Sequence, residues 1–268
     1  MRTAKLNNFN LTTPPTILDF LPEKILEFDT LTSTNDYLKT AAAKEVLTEG
    51  TLVWALNQTQ GRGQRENVWL VEPGKNLTIS ILLTPPKYNA SQAFLLSKAL
   101  ALAVYKTIQQ FIPKSIGIKW PNDIYCDDKK ISGILIENNI QGEYIRQCIV
   151  GIGLNVNQTV FENNNSTSLK IITNKDYSIR EVLNVLIGFI RFEYLRILSG
   201  DFKNVEEAYF DCLLGNKKNE SFLIHNKIHV CDILEIQPDG AIVLLIDGKK
   251  EVYLHGDAYW KNIKTQTK

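Results

Sequence analysis

Residues 119–138, KWPNDIYCDDKKISGILIEN, put two cations, an indole and a carboxylate within twelve positions: Lys119, Trp120, Asp123 and Lys130. Pro121 presets a turn, and Asn122 and Asp123 suit an Asx-type turn. Turn chemistry does not ask for the lysines or the ring. Cations beside an aromatic surface on a loop suit an anionic, partly aromatic ligand such as a nucleotide. A surface hairpin with a solvated basic tip would use the same residues.

A second stretch, NQTQGRGQRENVWLVEPGKNL at 57–77, holds Gly61, Arg62 and Gly63, extended by Gln64 and Arg65 and closed by Trp69. Glycines let backbone N–H groups approach a phosphate, and arginine presents a fork of donors. Trp69 offers a face on which a base can stack. This is not a Walker A loop, which needs G-x-x-x-x-G-K-[ST], nor a dinucleotide fingerprint, which needs a third glycine opening a helix. A third stretch is Ser33-Thr34-Asn35. Ser33 or Thr34 caps a helix ending near Gly50, and the same hydroxyls and amide can face a polar ligand at the helix start.

These residues need a mixed α/β scaffold. The pattern predicts a helix over about 33–48 and a strand over 51–57. At 77–83, Leu77, Ile79, Ile81 and Leu83 alternate with Thr78 and Ser80, the period of a half-buried strand. Leu96, Leu100 and Val104 mark a buried helix over 91–110, and strands are expected near 116–120, 131–138 and 144–153. Ser178 and Glu181 form a capping box for a helix over 178–199 that stops at Gly200, and a shorter helix over 202–214 ends at Gly215. After the polar linker 216–219 come short β runs separated by Asp239-Gly240 and Asp247-Gly248, both strong hairpin signals. They predict a small C-terminal β-barrel. The division expected is a domain over 1–215, with 1–27 as an extension, and a barrel domain over 220–268.

The 268 residues suffice for a full core plus a small second domain. Apolar residues at 44% and charged residues at 22% are ordinary globular values. A net charge of +1 gives no bulk attraction to nucleic acid or anionic membrane. Cys126, Cys148, Cys212 and Cys231 are scattered without a CxxC pair, so the sequence points to neither a zinc site nor a disulfide framework, and a reducing, cytoplasmic setting is expected. The N-terminus lacks a signal-peptide core, and no run of 18 apolar residues marks a transmembrane helix.

Taken in order, Ser33-Thr34-Asn35, Gln58 with Gly61-Arg62-Gly63 through Trp69, Lys119-Trp120-Pro121-Asn122-Asp123, Lys129-Lys130-Ile131-Ser132-Gly133 and Gly151-Ile152-Gly153-Leu154-Asn155 resemble the biotin protein ligases. The resemblance is dense over about 28–160 and looser beyond. It departs at Glu66, where the family commonly has a glycine, and this bears on how the loop closes. It implies a class II synthetase-like, biotin/lipoate-ligase catalytic domain of mixed sheet and helices, followed by a small Src-homology-like barrel. Only about 30 residues precede Ser33, and Pro14, Pro15 and Pro22 interrupt them. A form without the N-terminal DNA-binding domain, and so without repressor function, is therefore expected.

The resemblance implies that biotin is activated by ATP as biotinoyl-5'-AMP and transferred to a lysine of a biotin carboxyl carrier protein, that of acetyl-CoA carboxylase or another biotin-dependent carboxylase. A carboxylate attacking the α-phosphate needs cations to spread charge. Arg62 and Lys130 are expected together at that junction, with Mg²⁺ on the phosphates and no protein metal site. Asp123 is expected to orient or deprotonate the carrier lysine, or else only to close its turn. Ser33, Thr34, Asn35, Gln58, Gly61, Arg62, Gly63, Lys130 and Gly133 are the expected biotin contacts. Arg62, Arg65, Trp69, Lys119, Asn122 and Asn155 are the expected nucleotide contacts. A lipoate or octanoate ligase of the same fold shares the Lys-Ile-Ser-Gly element but lacks GRGxxxxxW. A non-catalytic biotin or nucleotide sensor would not need the set of cations. A homodimer through an open sheet edge is compatible with this layout.

Overall fold

The computed structural model describes residues 24–64, 67–113, 115–162, 164–216 and 219–261. The expectations for Arg65 and Glu66 and for the extension up to residue 23 lie outside the described residues.

The chain runs β1 (Lys24–Leu31), α1 (Thr34–Lys44), β2 (Thr51–Gln58), β3 (Leu77–Leu83), β4 (Tyr88–Asn89), α2 (Ala93–Gln109), β5 (Ile116–Lys119), β6 (Asp123–Cys126), β7 (Lys129–Gln141), β8 (Tyr144–Leu154), α3 (Leu169–Thr173), α4 (Ile179–Leu198) and α5 (Phe202–Asp211). It ends with β9 (Glu220–Ile224), β10 (Lys227–Ile236), β11 (Ile242–Ile246), β12 (Lys249–Tyr253) and β13 (Ala258–Lys261). The first sheet is ordered β1-β2-β3-β8-β7-β6-β5, with β4 paired to β8. Among the described strands of this sheet, β1 and β2 pair in parallel and the other pairs are antiparallel.

Helices cover both faces of this sheet. On one face Ile79, Ile81 and Leu83 share the main core with Leu96, Leu100 and Val104 of α2 and with Leu183, Leu186 and Ile190 of α4. On the other face Leu82 packs with Val53, Ile149 and Leu38 of α1. Hence β3 is buried at every position, not half-buried as its alternation predicts. The alternation records which layer each side chain enters, and both layers are closed.

Ser33 caps α1 by accepting from Asp36 N at 3.4 Å. The helix ends at Lys44, short of Gly50. Val46 is fully exposed, so further turns would have no apolar face to bury. Ser178 caps α4 as expected, accepting from Glu181 N at 3.3 Å, and Gly200 follows with φ +80°. Helix α5 also stops earlier than its pattern predicts. Strands β1 and β6 and helix α3 are too short or too polar to show a period of their own. Strand β1 exists through pairing with β2, and β6 through pairing with β5 and β7.

The C-terminal segment is an antiparallel sheet ordered β12-β11-β10-β9-β13. Asp247 and Gly248, at φ +48° and +77°, make the tight turn their sequence predicts. The expected barrel is instead an open sheet, because among the described residues the ladder runs from β12 to β13 without closing. An irregularity between Ile233 and Glu235 interrupts the β10–β11 register, and Lys249 and Lys250 on the outer strand β12 are the charged kind that discourages edge pairing. This sheet seats on the first: the Trp120 indole N–H donates to Gly240 O at 3.0 Å, and Lys98 Nζ to Ile236 O at 3.3 Å. Among the described residues no helix is long and apolar enough to cross a membrane.

Candidate active site

The site begins as a row of missing side chains. Across the sheet, Thr78 pairs with Gly153 and Gly153 with Gly133, and one row on, Ser80 pairs with Gly151. Paired residues share a face, so these positions floor a trough on the α1 side. Nothing larger than hydrogen fits at Gly151 or Gly153 without a shift of their neighbours. A Cβ on Gly151 would lie 2.3 Å from Asn35 Oδ1, and one on Gly153 would lie 2.2 Å from the Trp69 indole. At Gly133 it would meet Lys130 Nζ at 3.0 Å. The cavity above holds about 930 Å³.

At one end stands the start of α1. Gln58 Oε1 accepts from Thr34 N at 2.8 Å and from Thr34 Oγ1 at 3.0 Å. Ser80 Oγ lies 2.8 Å from Thr34 Oγ1 and donates to Asn35 Oδ1 at 2.5 Å. Ser33, Thr34, Asn35 and Ser80 are almost fully buried. This is a concentrated set of donors and acceptors for a compact polar group. Ser80 is not among the expected ligand contacts, although its place on the face of β3 opposite Leu77, Ile79, Ile81 and Leu83 pointed to it.

The other end is cationic. Lys130 Nζ lies 2.7 Å from Asp123 Oδ2 and 5.7 Å from the centre of the Trp69 ring. Lys119 Nζ sits 5.0 Å over the Tyr125 ring. Burial pulls the Lys119 ammonium below the ordinary lysine range against the attraction of Asp123, with Lys261 and Lys130 adding repulsion. Lys261 comes from the second sheet, which also brings His255 and Tyr259 to the cavity wall. Neither strand signals nor motif order indicated that contribution.

The glycine-rich segment forms a tight hairpin. Trp69 N donates to Gly61 O at 2.9 Å and Gly63 N to Asn67 O at 2.7 Å. A Cβ on Gly61 would lie 2.2 Å from Trp69 O, so Gly61 is required by the turn. It is not on the cavity wall, whereas Gly63 is. The Trp69 indole lies against Gly153, and its buried Nε1 has no hydrogen-bond partner among the described residues.

Several residues of the motifs are committed to other partners. Asn122 is buried beneath the wall. Its Nδ2 donates to Ile134 O at 3.0 Å and its Oδ1 accepts from Gln64 Nε2 at 3.0 Å, so its amide clamps β7 to the preceding turn. Asn122→Ala is expected to cost about 1–3 kcal/mol, read as a lower urea midpoint at unchanged slope. Trp120, 7% exposed, spends its N–H on Gly240 and anchors the motif to the second sheet. Asn155 lines the cavity, but its Nδ2 is committed to Thr167 O at 3.0 Å, which leaves Oδ1 to offer a base. Arg62 is not at the Lys130 junction. Its guanidinium bonds Asp36 Oδ1 at 2.5 Å and approaches Glu137 Oε1 at 3.5 Å, because these are the carboxylates within its reach. Glu137 also accepts from Asn35 Nδ2 at 3.0 Å and pairs with Lys39 at 3.2 Å. Burial would raise the Glu137 carboxyl, but these donors and the Arg62 charge hold it below its ordinary value.

A trough with a polar head site, a bare backbone floor and a cationic end fits an elongated acid lying beside an anion. Residues 27–155 match the Biotin/lipoate A/B protein ligase family. The match covers just under half of the chain. The chain is similar to the bifunctional ligase/repressor BirA of Bacillus subtilis, with 38% identity over 144 residues, 52% of this chain and 42% of that protein. It is 35% identical over 106 residues to the biotin–[acetyl-CoA-carboxylase] ligase of Paracoccus denitrificans, covering 39% of this chain and 43% of that one. The matched stretches thus span less than half of these curated relatives. Among solved structures, the biotin protein ligase from Aquifex aeolicus in complex with biotin and ATP superposes with a TM-score of 0.73 at 26% identity, covering 89% of this chain and 99% of that one. The five sequence motifs all fall on the trough or on its immediate supports.

Proposed function

We propose that this chain activates biotin with ATP as biotinoyl-5'-AMP and passes the biotinoyl group to a lysine of a biotin carboxyl carrier protein. The observation that carries the reading is the trough, with its buried Ser33–Thr34–Asn35–Ser80 cluster at one end and the Lys130–Asp123 pair at the other. A ureido ring carries donors and an acceptor that must all be met when buried, and the cluster supplies both kinds. The apolar tail lies on the Gly153 and Gly133 backbone. That places the carboxylate beside Lys130, with the Trp69 ring and its N–H available to the nucleotide. The likeness to a ligase structure bound to biotin and ATP supports the same assignment.

In the first step a carboxylate oxygen of biotin bonds to the α-phosphorus. The bond from that phosphorus to the bridging oxygen breaks, and pyrophosphate leaves. Lys130 and Lys119 offset the charge that gathers there. Magnesium would be held chiefly by the phosphates. Among the described residues no group of three His, Cys, Asp or Glu forms a ready cage. In the second step the carrier amine bonds to the acyl carbon and AMP departs. Asp123 orients the incoming amine and takes its proton once Lys130 has turned to the phosphate. A reducing cytoplasm suits four cysteines that form no disulfide among the described residues.

The test is exchange of labelled pyrophosphate into ATP, with biotin, lipoate and octanoate run in parallel. Biotin alone is expected to support exchange. Exchange with lipoate or octanoate instead would keep the chemistry and change the acid. No exchange with any acid would leave a binding protein.

A further inference from the structure

The turn between β5 and β6 is tied down at more points than a hairpin requires. Trp120, Pro121 and Asn122 join Lys119 to Asp123, which pair across the hairpin. A short loop of this kind closes through the ladder on either side of it. Here each of its residues is also bonded to a different part of the molecule. The Trp120 indole N–H donates to Gly240 O of the second sheet, and the Asn122 amide donates to Ile134 O on β7. The Pro121 carbonyl accepts from the Tyr209 hydroxyl of α5 at 2.5 Å. Tyr209 is fully buried and is not on the trough wall, so it does not touch what binds there. Its hydroxyl is nevertheless preset. The chain leaving α5 is laid against β5, with Ile118 N donating to Cys212 O at 2.8 Å and Leu214 N to Ile118 O at 2.8 Å. The Phe94 ring of α2 meets the Tyr209 ring edge-on at 6.2 Å. Burial raises the Tyr209 phenol well above its ordinary range, so it stays protonated and keeps donating. Two residues after Pro121 comes Asp123, whose carboxylate stands beside Lys130.

We propose that Tyr209 is a positioning residue for the second half-reaction: by fixing the Pro121 carbonyl it aims the Asp123 carboxylate at the point where the carrier amine arrives. The proposal rests on the adenylation and transfer reading above. Adenylation draws on the cations, whereas transfer needs Asp123 placed to take a proton from the amine as its nitrogen bonds to the acyl carbon. Misplacing such a group by about 1 Å costs on the order of a hundredfold. Loss of the Tyr209 bond therefore separates the two half-reactions. A tyrosine that served only the core would lower stability and slow both steps alike.

The test compares the whole chain with Tyr209→Phe, Asp123→Asn and the double variant. Biotin-dependent pyrophosphate exchange, trapping of the adenylate by hydroxylamine and transfer to a purified biotin carboxyl carrier domain are measured on each. Hydroxylamine is unprotonated at neutral pH and so needs no base. In Tyr209→Phe, transfer is expected to fall about 10- to 100-fold while exchange and trapping stay within about twofold, and the double variant should transfer no worse than Asp123→Asn. Trp120→Phe, which breaks the tie to Gly240, should likewise slow transfer more than exchange, and it serves if Tyr209→Phe does not fold. Carbodiimide coupling of glycine ethyl ester to the Asp123 carboxyl, read by mass spectrometry, should rise about two- to fivefold in Tyr209→Phe, as loosening its exposed pair with Lys130 allows. Unchanged transfer, equal losses in exchange and transfer, or additive losses in the double variant would each overturn the proposal. Absence of any exchange in the unaltered protein would overturn adenylation itself, while the carboxyl coupling would still decide whether Tyr209 holds Asp123.

Discussion

Lys130→Met is expected to lower biotin-dependent pyrophosphate exchange by about 100- to 1000-fold, the usual loss when one preorganised charge is removed from a charge-developing centre. Methionine keeps most of the aliphatic stem that lies against Gly133 and the Trp69 ring, so packing changes little. What disappears is the ammonium 2.7 Å from Asp123. Both partners are about 30% exposed, so stability should change by no more than about 1 kcal/mol. Exchange rates and a thermal melt on the same sample separate the two effects. A variant that melts normally and retains a tenth of its activity would remove Lys130 from the reacting centre. Lys119 then becomes the stronger candidate, since it lies on the same wall with its ammonium already partly desolvated.

Gly153→Ala is expected to weaken biotin binding roughly 10- to 100-fold, the scale set by about 1–3 kcal/mol of overpacking. The added methyl would sit 2.2 Å from the Trp69 indole, and that ring cannot evade it as a flexible side-chain tip would. Its neighbour Lys130 stands over the ring, so displacing Trp69 disturbs the cationic end too. Calorimetric titration with biotin gives the affinity, and tryptophan emission reports whether the indole has moved. Wild-type affinity in the alanine variant would mean that the tail does not lie on this strand.

Features set by a few neighbouring residues were the ones the sequence displayed openly. The Ser33 cap, the α4 capping box and the Asp247-Gly248 turn were legible because each depends on a few adjacent residues. So was the set of positions around Lys130 and Gly133, once five motifs stood in order. What stayed hidden depends on register. Gly151 must be bare because Asn35, 116 positions earlier, crosses over it, and no local pattern contains that fact. Ser80 and Glu137 reach the site by the same kind of long-range pairing. Asn122 is a buried clamp and Trp120 an anchor to the second sheet for a related reason. A polar residue in a turn looks the same in sequence whether its hydrogen bond goes to a ligand or to the backbone of another strand, and here both bond backbone carbonyls. Arg62 was legible as a cation but not as a paired one, since its partners come from a helix and a strand far apart in the chain.

The bond from Trp120 to Gly240 sets a rule for anyone recombining this chain with a relative. The stretch 215–220 looks like a convenient seam, yet the two sides of it share fittings. Gly240 has φ +93°, its carbonyl receives the Trp120 indole, and a side chain there would lie 2.6 Å from the Phe94 ring. A grafted C-terminal sheet must therefore bring a glycine to that turn, or the donor of the N-terminal part must bring a different residue at 94 and a different tryptophan environment. The unit of exchange is the turn together with the motif and the start of α2, and a chimera cut at the linker alone would inherit a lock without its key.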